Sequence, residues 1–116
     1  MDPRRRCGIE AEQRAAELLR AAGCLILARN FRCRGGELDV VARRGDLLIV
    51  AEVRVRRSAA YGGAAGSITA AKCARIVRAT RYLLLRRPDL ARLALRFDVL
   101  LLTSSSGPIE WIENAF

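Results

Sequence analysis

The chain has 116 residues, of which 52% are hydrophobic, and its 21 basic and 12 acidic side chains give a formal net charge of +9. This length predicts a single domain over residues 1–116, and the apolar content excludes an intrinsically disordered chain. The absence of histidine excludes nucleophilic catalysis by a His base, and the four cysteines form no C-x-x-C pair of the kind that binds zinc.

The excess of basic residues indicates a polyanionic partner, most often nucleic acid. All but one of the basic residues are Arg, with Lys72 the exception. A GC-rich gene would also favour Arg over Lys, but that bias does not explain the excess over acidic residues. No apolar run approaches the roughly 20 residues of a membrane span, and the N-terminus lacks an apolar signal core. We therefore expect a cytoplasmic protein without membrane contact.

The first predicted element is a helix over about residues 8–22, which Gly23 would end. Glu12 projects from within the apolar stripe of this helix, and an inward carboxylate needs a cationic partner. Either a metal ion or an Arg at the margin between helix and sheet would supply one. The stripe itself consists of Ile9, Ala15, Ala16, Leu18, Leu19 and Ala22.

A β-hairpin is predicted next, because the dipeptide Gly45-Asp46 separates two apolar, β-branched runs. If these two residues form the turn, the numbers of opposing residues sum to 91, and Asp39 lies opposite Glu52. Like charges directly opposite each other are unfavourable in a sheet. A divalent cation, Mg²⁺ or Mn²⁺, held by the two carboxylates is the simplest explanation for the pair.

The same register allows a plainer interpretation of this face of the hairpin. Glu37 would lie opposite Arg54, and all four charged side chains would project to one side. They would then form a solvated face with Glu37–Arg54 as a surface ion pair, which contributes little to stability.

Basic residues follow the hairpin directly, because Arg56 and Arg57 precede an Ala- and Gly-rich segment over residues 58–66. This composition predicts a loop. Tyr61 lies within it and could stack on a nucleic-acid base or be an ordinary loop tyrosine.

A second helix is predicted from a cap at Ser67 or Thr69 to about Arg86. Lys72 lies at the edge of its apolar stripe. Three further cations lie outside the stripe and predict a solvated face, with phosphate contact as the second interpretation: Arg75, Arg78 and Arg81.

Strands near residues 24–28, 95–102 and 108–112 complete the predicted order α-β-β-β-α-β-β. The hairpin strands are apolar along almost their whole length, which indicates helices on both faces of the sheet. The predicted fold class is therefore α/β, with a mixed sheet flanked by helices.

The residues Asp39 and Glu52-Val53-Arg54 resemble the core of PD-(D/E)XK nucleases, with a helical Glu12 as in archaeal-type Holliday junction resolvases. Over nearly its full length the chain more closely resembles the YraN family of bacterial, nuclease-like proteins. The matching pieces, in chain order, are Gly8, Ala11-Glu12, Gly23, Ala28-Arg29-Asn30, Gly35-Gly36-Glu37-Leu38-Asp39, Glu52-Val53-Arg54, Arg56-Arg57, Tyr61-Gly62, Lys72, Arg96-Phe97-Asp98-Val99 and Ile112-Glu113-Asn114-Ala115-Phe116.

This resemblance implies a restriction-endonuclease-like fold and a function that involves nucleic acid, with DNA as the first expectation. It also implies two sets of site residues. The catalytic set is Glu12, Asp39, Glu52 and Arg54, with Asp39 and Glu52 as ligands of Mg²⁺ or Mn²⁺, and the nucleic-acid-binding set is Arg56, Arg57, Tyr61 and Lys72.

One position departs from the family pattern, since Arg54 replaces the Lys of the E-x-K motif. Arginine keeps the positive charge and can hold a phosphate, but it cannot deprotonate water, because its pKa exceeds about 12. Lys72 could substitute by reaching in from the second helix. Two functions stay open: a Mg²⁺-dependent nuclease, and a non-catalytic nucleic-acid-binding protein with the same fold. A protein-interaction module fits the charge least well, and the oligomeric state is open, a homodimer included.

Overall fold

The computed structural model describes residues 3–55, 68–103 and 106–116, with side chains from Gly8 onward in the first range. The elements are α1 (Pro3–Ala21), β1 (Leu25–Cys33), β2 (Gly36–Arg44), β3 (Leu47–Val55), α2 (Ala70–Arg86), β4 (Ala94–Leu102) and β5 (Ile109–Ile112), with a short 3₁₀ helix (Leu90–Arg92) before β4. The predicted order of elements is confirmed. No helix within the described ranges is long and apolar enough to cross a membrane.

The five strands form one sheet in the order β1-β2-β3-β4-β5. All neighbours are antiparallel except β3 and β4, which run parallel and are connected through α2. The sheet is therefore mixed, as the α/β class predicts. β1 extends to Cys33, five residues beyond the predicted strand, because pairing with β2 carries it through a polar stretch.

The two helices pack on opposite faces of the sheet. α1 packs through Ala15 and Leu19 against Val40, Ala42, Ile49, Ala51 and Leu100, all of them buried. α2 packs through Ile76, Ala79 and Leu83 against Leu38, Val41, Leu48 and Val50. Apolar residues on both sides of β2 and β3 are thus covered, which explains why these strands are apolar along almost their whole length. Ile9 departs from the predicted α1 stripe, since 48% of it is exposed.

The N-terminus of α2 is held by a side-chain cap. The Thr69 hydroxyl accepts a hydrogen bond from the Lys72 backbone N–H at 3.1 Å. This bond satisfies one of the amides that the first turn of a helix leaves unpaired. Thr69 is therefore the cap, and the alternative, Ser67, lies outside the described residues. The cap also fixes where the Lys72 side chain leaves the helix.

The predicted hairpin register is confirmed from the turn to the middle of the strands. Pairs run from Arg44–Leu47 to Val40–Ala51, and each sums to 91. The backbone pairing reaches no further than Val40–Ala51, so Asp39 and Glu52, the next predicted pair, lie just beyond the last paired position. Leu38 packs on the α2 side and Val40 on the α1 side, although residues two apart normally share a face. The regular alternation of β2 is therefore interrupted at Asp39.

The C-terminal residues are fastened to β4 by a buried carboxylate. Asp98 is fully buried and accepts bonds from Arg96 Nε (2.8 Å), Arg96 Nη2 (2.9 Å), Trp111 Nε1 (2.8 Å) and the Asn114 backbone N–H (2.9 Å). Burial raises the pKa of the Asp98 carboxyl, but the four donors together hold it below its usual range. Two stretches that carry the family resemblance, at residues 96–99 and 112–116, therefore meet as a structural clamp.

Candidate active site

Asp39 lies at the point where β2 and β3 separate. Its Oδ2 accepts a hydrogen bond from the Val53 backbone N–H at 2.9 Å, which takes the place of a ladder bond between the strands. Burial, and then the nearby charge of Glu52, raise the pKa of Asp39 to about 7, although the Val53 N–H acts in the opposite direction. The two carboxyl groups are within hydrogen-bonding reach of each other. The sequence-predicted pair is thus formed, through side chains that meet without backbone pairing.

Glu52 is the more deeply buried member of this carboxyl pair, with 4% of its surface exposed. Two cations approach its Oε1: Lys72 Nζ at 3.5 Å and Arg54 Nη1 at 3.9 Å. Both distances are longer than a direct hydrogen bond, so the contacts are mainly electrostatic. A buried carboxylate of this kind requires compensating positive charge. The only lysine of the chain therefore reaches the site from α2, while Arg54 reaches it from β3.

Glu12 approaches the pair from α1, on the other side of the sheet. Burial raises the pKa of Glu12, a hydrogen bond with the Asn30 side chain lowers it, and the charge of Asp39 raises it again. Arg29 contributes a further, favourable charge. Glu12 is thus part of the same electrostatic site, where Arg29 acts on it as a nearby charge while its Nη1 donates to Gln13 Oε1 at 2.9 Å.

Asn30 is a site residue that was not predicted from the sequence. It lies in β1 with a φ of 52°, in the left-handed region that Asn tolerates better than most residues. Its side chain orients Glu12. Asn30 could have been found from the sequence only through the stretch Ala28-Arg29-Asn30, which is one of the pieces that match the family. An asparagine in a strand does not by itself indicate a catalytic role.

The donor set fits a small, hard cation. Mg²⁺ is commonly held in proteins by one or two carboxylates, with water or phosphate oxygens completing the shell. Asp39 and Glu52 supply such a pair. Across residues 3–55, 68–103 and 106–116, no group of three or more His, Cys, Asp or Glu side chains is close enough to enclose a metal ion. Glu12 therefore acts on the pair through its charge and not as a third direct ligand in this arrangement.

Of the four predicted nucleic-acid-binding residues, only Lys72 can be located. Arg56, Arg57 and Tyr61 lie outside the described residues. Lys72 is half-buried and points at Glu52, so it belongs to the carboxyl site as well as to the basic surface.

The chain is similar over almost its whole length to proteins of one family. A profile of the uncharacterised protein family UPF0102 matches residues 11–102, a range that contains every site residue described above. A UPF0102 protein of Saccharophagus degradans is 46% identical over 109 residues, which cover 94% of this chain and 91% of the relative. A second, from Dechloromonas aromatica, is 46% identical over 109 residues (94% and 87%). A third, from Pseudomonas putida strain GB-1, is 42% identical over 114 residues (96% and 93%).

Proposed function

Because this chain belongs to the UPF0102 (YraN) family, as its motifs predicted, we propose that it is a nuclease-like protein that hydrolyses phosphodiester bonds in DNA with the help of Mg²⁺ or Mn²⁺. The observation that carries the proposal is the carboxyl pair of Asp39 and Glu52. Two acids within hydrogen-bonding reach, one of them with a pKa raised to about 7, are costly to maintain in the apo protein. Perturbed groups of this kind are concentrated at functional sites.

The roles of the residues follow from their positions around the pair. Asp39 and Glu52 would hold the cation, which would supply an activated water and stabilise the leaving oxygen. Arg54 can hold a non-bridging phosphate oxygen, because its guanidinium offers several donors in one plane. Glu12 adds negative charge beside Asp39 and so strengthens the attraction of the site for a cation.

Lys72 supports hydrolysis in spite of the departure at position 54. An ammonium group is a compact charge with three donors on a flexible stem, so it can contact a water and a phosphate oxygen together. Lys72 Nζ lies 3.5 Å from Glu52 Oε1, closer than Arg54 Nη1 at 3.9 Å. We therefore assign to Lys72 the role that the resemblance gives to the Lys of the E-x-K motif: to orient the attacking water and offset charge in the transition state.

A cleavage assay tests this proposal. Purified protein is incubated with branched and linear DNA in Mg²⁺ or Mn²⁺, beside an Asp39→Asn/Glu52→Gln variant that keeps the side-chain shapes and removes the charges. We expect the wild type to cleave and the variant to be inactive while it still binds DNA. Lys72→Ala should lower the rate by roughly 10²-fold or more, in the range seen when a positioned catalytic group is removed. Equal rates for Lys72→Ala and the wild type would contradict the role of Lys72.

The second candidate function is nucleic-acid binding without hydrolysis, and Arg54 is the observation that favours it. If Arg54 marks a chain that has lost activity, the wild type will bind DNA in a salt-sensitive way but will not cleave it with either metal. An Arg54→Lys variant that gains cleavage would then identify the substitution as the cause. Cleavage by the wild type itself would exclude this alternative.

A further inference from the structure

A cationic cleft lies beside the carboxyl site, between the β1–β2 turn and the N-terminal half of α2. Its volume is about 550 Å³. Four of its lining residues are basic and one is acidic: Arg32, Lys72, Arg75 and Arg78, against Glu37.

The cleft is held in shape by close contact between the turn and the helix. Gly36 leaves no room for a side chain, because an added Cβ would overlap the carbonyl oxygen of Arg75 and touch the Cβ of Ala79. Gly35 adopts a φ of +91°, which favours glycine, and its carbonyl oxygen accepts a bond from Arg78 Nη1 at 3.4 Å. The strand end therefore lies directly on α2, and the walls of the cleft are set by backbone positions.

The positive charge of the cleft is only partly neutralised by the protein itself. Glu37 lies 3.6 Å from Arg32, and Lys72 lies beside Glu52. Among the residues that the structure describes, Arg75 makes no ion pair or hydrogen bond, and Arg78 makes one hydrogen bond, to the backbone oxygen of Gly35. An excess of cations in a concave surface concentrates field lines and attracts anions.

Three of these cations follow one line along α2. Lys72, Arg75 and Arg78 are spaced three residues apart, so each is the neighbour of the next, and the row winds obliquely around α2 because three residues fall about 60° short of a full turn. With a rise of about 1.5 Å per residue, the line from Lys72 to Arg78 is about 9 Å long. Successive phosphates of one DNA strand advance about 3.4 Å along the duplex axis but are farther apart along the strand itself, so the line matches about two phosphates.

We propose that this cleft binds the phosphate backbone of the DNA strand and leads it to the carboxyl pair. Lys72 belongs to both places, because it lines the cleft and its Nζ lies 3.5 Å from Glu52 Oε1. A strand lying along Arg78 and Arg75 reaches Asp39 and Glu52 next. The inference rests on the proposed function for its ligand, and it deepens that function by naming the surface on which the strand is held.

Paired charge-removal variants test the cleft. Arg75→Gln/Arg78→Gln removes two cleft cations, and Arg81→Gln/Arg92→Gln removes two exposed cations outside it, so both variants lose the same net charge. Binding of short labelled single-stranded and duplex DNA is measured in EDTA at several salt concentrations. Circular dichroism and thermal unfolding show whether each variant is folded, and Arg75→Lys/Arg78→Lys keeps the charge as a further control.

The expected result is a selective loss in the cleft variant. Each phosphate contact contributes about eightfold to affinity at 0.1 M salt, so two lost contacts weaken duplex binding about 60-fold. The slope of log K against log salt concentration should fall by about 1.8 for duplex and about 1.4 for a single strand. The Arg81/Arg92 variant and the lysine variant should bind within a few-fold of the wild type. Equal losses in both Gln variants, or none in the cleft variant, would overturn the proposal.

Mn²⁺ binding and cleavage, measured on the same variants in buffer without EDTA, separate this inference from the proposed function. The cleft variant should still bind Mn²⁺, while Asp39→Asn/Glu52→Gln should lose Mn²⁺ and still bind DNA. If the wild type does not cleave DNA but the cleft variant loses DNA binding, the proposal of hydrolysis is wrong and the proposal of a DNA-binding cleft is confirmed. If the wild type cleaves DNA and the cleft variant binds DNA as the wild type does, the proposal of a DNA-binding cleft is wrong and the proposal of hydrolysis is confirmed.

Discussion

Replacing Asp39 by Asn should stabilise the apo protein at high pH, although the change removes a candidate catalytic residue. Asn keeps the shape of the side chain, and its Oδ1 can still accept the bond from the Val53 N–H. It differs from Asp in one respect, since it carries no charge beside Glu52. The stability difference therefore measures the cost of keeping an ionised carboxyl in this place.

The size and the sign of the effect follow from the raised pKa. The pKa of Asp39 is about 7 in the folded protein, against 3.8 ordinarily. Between these values the unfolded chain has lost the proton while the native state keeps it, so the free energy of unfolding falls as the pH rises from about 4 to about 7. A difference of about 3 pKa units corresponds to about 4 kcal/mol. We therefore expect the variant to gain about 2 to 4 kcal/mol in free energy of unfolding at pH 8 and little near pH 4.

Urea unfolding in EDTA at several pH values between about 4 and 8 measures this difference. Asp46→Asn, on the exposed hairpin turn, controls for the loss of one negative charge. Added Mn²⁺ should stabilise the wild type at pH 8 and leave Asp39→Asn unchanged, because bound cation offsets the repulsion. A variant that is no more stable than the wild type at pH 8 would refute the reasoning, since Asp39 would then be well hydrated and its proximity to Glu52 would carry no cost.

Four further substitutions test the packing of the fold by urea or thermal unfolding. Gly36→Ala should lower the free energy of unfolding by about 1–3 kcal/mol, because the added Cβ would overlap the Arg75 carbonyl oxygen. Gly8→Ala is the control in α1, where an added Cβ meets nothing within 4 Å, and it should raise the free energy of unfolding by about 0.5–1 kcal/mol. Equal effects of the two substitutions would contradict the close contact at Gly36. Asp98→Ala should lower the free energy of unfolding by about 3 kcal/mol at neutral pH and by less in acid. Because the pKa of Asp98 is lowered in the folded protein, its carboxylate stabilises the fold above the ordinary Asp range, and this stabilisation is lost as the pH falls. A pH-independent loss would show that packing alone is involved. Thr69→Ala should lower the free energy of unfolding by about 1 kcal/mol, because it removes the hydrogen bond to the Lys72 backbone N–H. It should also weaken DNA binding modestly, since the first turn of α2 carries Lys72. An unchanged free energy of unfolding would show that the cap is dispensable.

Local chemistry was enough to predict the order of elements and much of the hairpin. The Gly45-Asp46 turn sets which residues oppose each other, and the register holds from Arg44–Leu47 to Val40–Ala51. The apolar content of both hairpin faces predicted helices on both sides of the sheet. These features depend on residues that are near in sequence or on a period that one strand carries by itself.

The site itself depended on contacts between distant elements. Sequence spacing indicated that the side chains of Asp39 and Glu52 would meet. It did not indicate that the alternation of side chains between the two faces of β2 is interrupted at Asp39, because such an irregularity depends on which elements cover each face of the sheet. The positions of Asn30 beside Glu12 and of Lys72 beside Glu52 bring together residues from different elements. The roles of Arg56, Arg57 and Tyr61 stay predictions. The sequence alone therefore determined which residue types could perform the chemistry and on which strands or helices they lie. Only the tertiary structure decided which of them share one site, because the distance between two side chains on separate elements is set by packing and not by their spacing along the chain.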